Sequence, residues 1–167
     1  MKNVLIAIVC FAACFAFAQQ NILYNPTGDN NFKGFFKIRN ANIASADGVI
    51  SCRGNADAQV NAYQKIQQHI EPADKQIKNK TFVLSFKARS AKLIGNCQVA
   101  VREAWDKDKS TYHGFVFKRF DITPEWQEYS KTFTTHDTTT DLSFYLVASY
   151  MATDSLFEVK DISIIQR

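Results

Sequence analysis

This 167-residue chain lacks the motifs that common hydrolases use. No serine stands in a Gly-x-Ser-x-Gly turn, and the histidines are scattered, at His69, His113 and His136. Glu103 and Asp106 are the acids nearest Trp105. On a strand, a spacing of three residues turns two side chains to opposite faces, so these acids cannot act as a catalytic pair. We predict that the chain is not an enzyme.

A strong charge of one sign is also missing. The chain has 20 Lys and Arg against 16 Asp and Glu, which gives a formal net charge of +4, and the two signs are interspersed. Proteins that bind nucleic acids usually carry a basic block or stripe. The sequence therefore predicts no nucleic-acid partner.

The chain has little that could cross a membrane. Its one long apolar run extends from Val4 to Phe17 after Lys2, too short for a permanent membrane span. Ala16-Phe17-Ala18 places small residues where signal peptidase cleaves, so we predict a signal peptide over residues 1–18, with cleavage before Gln19. Lipidation of Cys14 is the alternative, set aside because the apolar run continues past it. The protein is expected to be secreted, extracellular or periplasmic.

Residues 19–167 are enough for a single domain with a sizeable core and too few for two. They contain only two cysteines, Cys52 and Cys97. In an oxidising compartment we expect a disulfide between them, which the chain-entropy model values at about 3 to 5 kcal/mol. Two buried thiols on neighbouring strands are the alternative.

Strand periodicity dominates what is present. Thr81–Arg89, Gln98–Arg102 and Leu142–Tyr150 each alternate apolar and polar residues, as half-buried strands do. Two such apolar faces must pack together, which predicts an all-β antiparallel sandwich. Asn61–Ile70 fits either a strand or a short helix. Near Lys160 the apolar phase slips, which indicates a β-bulge.

Three segments carry a resemblance to a known family: Thr81-Phe-Val-Leu-Ser-Phe-Lys-Ala-Arg89, Ile122-Thr-Pro-Glu-Trp-Gln-Glu-Tyr-Ser-Lys-Thr-Phe133 and Leu156-Phe-Glu-Val-Lys-Asp-Ile-Ser-Ile164. Together they resemble the carbohydrate-binding modules of the galactose-binding-like jelly-roll superfamily, the type found with xylanases and glucanases. The resemblance implies a jelly roll, a strand at Asn61–Ile70 and a core position for Trp126. It also implies a secreted, non-catalytic module that binds a polysaccharide or oligosaccharide.

Sugar binding needs exposed aromatic faces for the pyranose ring and planar polar groups for its hydroxyls. By alternation, Tyr145, Arg102 and Gln98 should face solvent. Trp105 and Tyr112 flank a polar hairpin tip and could overhang a groove, although Trp105 could equally cover the end of the sandwich. We predict a carbohydrate site containing Trp105, Tyr145, Arg102, Gln98, Tyr112, Tyr63 and Arg53.

The resemblance implies at most one structural calcium ion. Asp161 matches the aspartate that holds this ion in the last strand of related modules. The family's N-terminal glutamate is missing here, and Asp29 is the substitute ligand that we predict. An alternative function is a structural or protein-interaction module, adhesin-like, with a protein partner or a larger surface complex.

Overall fold

The computed structural model describes residues 20–29, 33–38, 42–54, 63–72, 75–106, 108–118 and 121–167. The predicted signal peptide, its cleavage site and Cys14 lie outside these ranges. Within them, no helix is long or apolar enough to span a membrane. The strands, in chain order, are β1 (Phe36–Ile38), β2 (Ile43–Ala46), β3 (Val49–Arg53), β4 (Tyr63–His69), β5 (Thr81–Lys92), β6 (Asn96–Trp105), β7 (Lys109–Phe117), β8 (Gln127–Thr134), β9 (Thr139–Ser149) and β10 (Leu156–Gln166).

The strands form two five-stranded sheets, and their pairings are antiparallel. The first sheet has the order β1-β4-β9-β6-β7, and the second has the order β2-β3-β10-β5-β8. The predicted antiparallel sandwich is therefore confirmed.

The core lies between the two sheets and is filled by alternate residues of their strands. From the first sheet, β6 buries Val99 and Val101, and β9 buries the set Leu142, Phe144, Leu146 and Ala148. From the second sheet, β5 buries Phe82, Leu84, Phe86 and Ala88. Aromatic rings join the layers, since Phe86 meets Phe115 and Phe117 edge to face. Burial of this apolar area is the main stabilising contribution.

Two segments with an uncertain reading are resolved by the structure, one as the family resemblance implied and the other as the apolar phase predicted. Tyr63–His69 is strand β4, paired with β9 from Ser149 to Ser143. In β10 the pairing with β5 shifts between Lys160 and Ser163, and Asp161 has a φ of 53°. This bulge moves the buried phase from Val159 to Ile162, as the sequence predicted.

The predicted disulfide is not present. Cys52 and Cys97 are free, buried thiols, and they lie on β3 and β6, in opposite sheets rather than on neighbouring strands. The Cys97 thiol donates to the sulfur of Met151 at 3.6 Å, so it is engaged as a core residue. Burial raises the pKa of Cys52 to about 12 and also raises that of Cys97. Both side chains act as small apolar core groups.

Trp126 is not the core residue that the resemblance implied. It lies half-buried on the outer face of the second sheet, with the Arg89 guanidinium and the Lys160 ammonium each 4.5 Å from its ring centroid. The reason is its position just before β8, where the chain passes over the outward side chains of β5 and β10.

The state of the thiols can be tested on protein that begins at Gln19. In native protein at neutral pH, iodoacetamide should modify neither cysteine, because the reactive thiolate is suppressed by burial. After denaturation without reductant, mass spectrometry should find both cysteines modified. Modification that requires prior reduction would show a disulfide and contradict the structure.

Candidate functional site

The outward side chains of β9, β6 and β7 form three rows across the first sheet. Strand pairing aligns Ser143, Arg102 and Tyr112 in one row, Tyr145, Ala100 and Gly114 in the next, and Val147, Gln98 and Val116 in the third. Because β7 is the edge strand, the rows are open on that side. This surface is called the outer face below.

The middle row is nearly bare where it crosses β6 and β7. A Cβ atom at Gly114 would lie 2.2 Å from the carbonyl oxygen of Val99 and 2.5 Å from the Cα of Ala100. Only glycine therefore fits, because the two backbones approach too closely for a side chain. The flanking rows are four residues apart on β6, or about 13 Å at the usual rise of a strand. Ala100 and Tyr145 in this row are buried, whereas Gly114 is partly exposed, so the trough between the flanking rows opens over the Gly114 backbone on β7.

Tyr112 and Arg102 form one wall of the trough. The Tyr112 side chain is 48% exposed, and its ring meets that of Tyr145 edge to face with 5.8 Å between centroids. Tyr145 is on the predicted face but only 4% exposed, so the prediction that it faces solvent is wrong. Its neighbours cover it, and its contact holds the Tyr112 ring in place.

The opposite wall contains residues that the sequence analysis did not select. Gln98, as predicted, is accompanied by Val116, which is 53% exposed, and by Tyr150, which is 67% exposed and follows directly after β9. A cavity of about 290 Å³ is lined here by Asn96, Cys97, Gln98, Val116, Lys118, Val147, Ser149 and Tyr150. The alternation of Tyr112, Gly114 and Val116 with the inward Phe115 and Phe117 on β7 is the sequence signal that could have found Val116.

A cluster of polar side chains, the polar group, lies at the end of the outer face beyond the Tyr112 row. The Asp141 carboxylate lies 3.0 Å from His69 Nδ1, 3.0 Å from the Ser143 hydroxyl and 3.7 Å from Arg102 Nη1. Strands β4, β9 and β6 each contribute to this group. Asp141 and His69 were not selected from sequence, because their proximity depends on strand pairing over 72 residues.

Trp105 packs at the end of the sandwich, which was the alternative to a position over the groove. It stacks on His136 with 4.2 Å between ring centroids. Nearby, the buried Glu103 carboxylate accepts hydrogen bonds from His113 Nε2 at 2.8 Å, from the His136 backbone N–H at 2.7 Å and from the Thr139 hydroxyl. Trp105 shares the inward phase of Glu103 on β6, so its ring lies on the side of the sheet away from the trough.

The Glu103 carboxylate is held in its charged form. Burial by itself would raise its pKa, but the hydrogen bonds from Thr139, His136 and His113 outweigh burial and hold the pKa below the ordinary value of 4.5. A buried carboxylate with three donors is stabilising, whereas one that loses its partners is costly.

Tyr63 and Arg53 are the two remaining residues of the predicted sugar site. Tyr63 pairs with Ser149 at the start of β4, and its side chain lies outside the described residues. Arg53 is exposed on β3 of the second sheet, next to the inward Cys52, so it faces away from the trough. Arg53 thus lies away from the outer face, and its contact with a sugar stays a prediction.

The calcium ligands are not assembled by the described residues. Asp161 forms an ion pair with Lys87 at 3.0 Å on the second sheet, and Asp29 accepts a hydrogen bond from Thr27 at 2.5 Å. In the described part of the chain no three His, Cys, Asp or Glu side chains form a group that could hold a metal ion. The calcium ion stays a prediction.

The fold and family of this chain are evident from comparison with known proteins. A family model described as "Carbohydrate binding domain" (CBM_4_9) matches residues 20–154. No curated protein matches the sequence.

Among solved structures, a Family 16 Carbohydrate Binding Module-2 is 21% identical, with a TM-score of 0.64, covering 87% of this chain and 99% of that one. The CBM22-1 xylan-binding domain from Paenibacillus barcinonensis Xyn10C is 12% identical, with a TM-score of 0.51, covering 80% and 86%. The N-terminal cellulose-binding domain of Cellulomonas fimi β-1,4-glucanase C is 11% identical, with a TM-score of 0.54, covering 81% and 90%. At these identities the likeness shows the jelly-roll fold.

The close approach of the backbones at Gly114 predicts that any side chain at this position destabilises the protein. Gly114→Ala should lower the free energy of unfolding by about 1 to 3 kcal/mol, because its Cβ would overlap the backbone of β6. Urea denaturation measures this loss. Ser110→Ala, on the same face of β7, is the control and should stay within about 0.5 kcal/mol of wild type. A Gly114→Ala variant as stable as the control would contradict the close approach.

The hydrogen bonds that Glu103 accepts make the stability of the protein depend on pH. Because the pKa of Glu103 is lowered on folding, its stabilisation is complete above the ordinary value and is lost as pH falls through the lowered pKa. Glu103→Gln should cost about 1 to 3 kcal/mol at neutral pH. The difference from wild type should shrink at pH values well below 4.5. Thermal melts from neutral pH to about pH 3 would show this, and a difference that stays constant would refute it.

Proposed function

The chain belongs to the CBM_4_9 family of carbohydrate-binding domains, and on that premise we propose that it is a secreted module that binds a polysaccharide in the trough of the outer face. Binding uses aromatic stacking and hydrogen bonds and leaves the sugar chain covalently unchanged. The observation that carries the proposal is the strip without a side chain at Gly114, which lies between one wall with the exposed Tyr112 ring and another with the exposed Tyr150 ring.

The walls offer what a sugar chain requires. The face of a pyranose ring is apolar and stacks on an aromatic ring, and Tyr112 and Tyr150 are exposed on either side of the trough. Arg102 and Gln98 supply a guanidinium and an amide, whose planar donors and acceptors suit paired sugar hydroxyls. The two kinds of contact lie within one surface, which a polysaccharide could bridge.

The open edge of the trough favours a chain over a single sugar. β7 ends the first sheet, and Gly114 lies on it, so the described part of the floor reaches the sheet edge without a closing side chain. A polysaccharide interior can pass through an open trough, whereas small ligands are usually bound in enclosed pockets. The solved structures with this fold include domains named for xylan and for cellulose binding. These β-1,4-linked chains are the first ligands to test.

A non-catalytic role fits the state of the acid nearest the trough. Asp141 is engaged by donors from His69 and Ser143 and by the charge of Arg102. A general acid or a nucleophile needs a carboxyl group directed at the reacting bond. The alternative of a protein-interaction module draws on the same exposed residues, Val116 and Tyr150, and the experiment below separates the two.

Binding should be measured on a panel of soluble and insoluble polysaccharides that includes xylan and cellulose. We expect Tyr112→Ala to weaken binding roughly tenfold, since stacking of an aromatic ring is worth on the order of 1 kcal/mol or more. Trp126→Ala is the matched control, because this aromatic lies on the outer face of the other sheet. It should bind as wild type does.

Folding of each variant is checked by its melting temperature. Equal weakening in both variants would contradict the assignment of the trough. Absence of binding to every polysaccharide by folded wild-type protein would instead favour the protein-interaction module.

A further inference from the structure

The polar group at the end of the trough is organised around one carboxylate. Asp141 belongs to β9 and lies two residues before Ser143, on the same face. His69 on β4 pairs with Ser143, and Ser143 in turn pairs with Arg102 on β6. Three neighbouring strands therefore direct a histidine, a serine and an arginine toward Asp141.

Hydrogen bonds fix this carboxylate without the help of Arg102. An ionised carboxylate only accepts, so His69 donates from Nδ1 to Oδ1 and Ser143 donates its hydroxyl to Oδ2, each at 3.0 Å. The two donors come from different strands, β4 and β9. Because both oxygens are held, Asp141 presents a negative charge at a defined place on the outer face.

Arg102 forms an ion pair with this carboxylate but no short hydrogen bond to it. Its Nη1 lies 3.7 Å from Oδ2, within ion-pair range and beyond the length of a good hydrogen bond. The arginine side chain is 30% exposed, so the interaction is only partly screened by solvent. A guanidinium has five N–H donors, and this contact orients the group while leaving donors for a ligand.

We propose that Asp141 is a positioning residue of the trough, which holds the Arg102 guanidinium ready to donate to the hydroxyl oxygens of the sugar unit beside Tyr112. The proposal rests on the proposed function, because it assigns a role within the same trough. Ordering a long side chain before binding removes a cost that the complex would otherwise bear. A neutral amide at position 141 would keep the shape of the group and lose the charge that orients Arg102.

The first test needs no ligand and uses NMR of the Arg102 Nε–H group. Its signal should be resolved and protected from exchange with water in the wild-type protein, and shifted and broadened in Asp141→Asn. Glu158→Gln is the matched control, because Glu158 holds Arg89 at 2.7 Å in another arginine–carboxylate pair on the opposite sheet. An Arg102 signal that Asp141→Asn leaves unchanged would overturn the proposal.

The second test is calorimetric binding of xylohexaose and cellohexaose. Asp141→Asn should weaken the hexasaccharide that binds by about threefold to tenfold, as expected for one arginine ordered in advance. Asp141→Glu should restore part of the affinity, and Glu158→Gln should match wild type. In an Arg102→Gln background, Asp141→Asn should have no further effect.

The outcomes separate the two claims. Wild-type affinity in a folded Asp141→Asn variant would overturn the role of Asp141 and leave the trough assignment standing. If wild-type protein binds neither hexasaccharide, the proposed function fails for these chains, and the NMR comparison still decides whether Asp141 orients Arg102.

Discussion

Alternation on the two central strands of the first sheet is the constraint from which the candidate site follows. Every second residue of β6 and β9 is required by the core, where Val99, Val101, Phe144 and Leu146 are fully buried. The residues between them point to the outer face in rows set by strand pairing, and among those of β6 Gln98 and Arg102 are partly exposed. The same register that fills the core therefore decides which side chains can meet a ligand. A shift of one residue would exchange the two sets.

The rest of the sandwich holds this register. The second sheet supplies the aromatic layer on which the first sheet packs, and Phe86 links the two through Phe115 and Phe117. At one end, the Glu103 carboxylate ties β6 to β7 and to the segment between β8 and β9. Gly114 lets β7 approach β6 closely, so the middle row has no side chain on β7 and only a methyl group on β6. The trough is thus a product of packing in the layers beneath it.

The fold was predictable from sequence because alternation is a local signal. Strands β5, β6 and β9, the bulge near Asp161 and the outward direction of Arg102 and Gln98 follow from periods of two along the chain. The predictions that failed depend on partners distant in sequence. Tyr145 has the predicted phase but is covered by its neighbours, and Trp126 lies outside because β5 and β10 present cations to its ring. The disulfide was inferred from the compartment, which does not determine the distance between two sheets.

The central claim is that the outer face of the first sheet binds a polysaccharide chain. It is tested most directly by mapping backbone amide chemical shifts while xylohexaose or cellohexaose is titrated into isotope-labelled protein. The account predicts changes on β6, β7 and the end of β9, around Gln98, Arg102, Tyr112 and Tyr150, with the second sheet near Trp126 unchanged. Changes confined to the second sheet, or none with any polysaccharide, would contradict it.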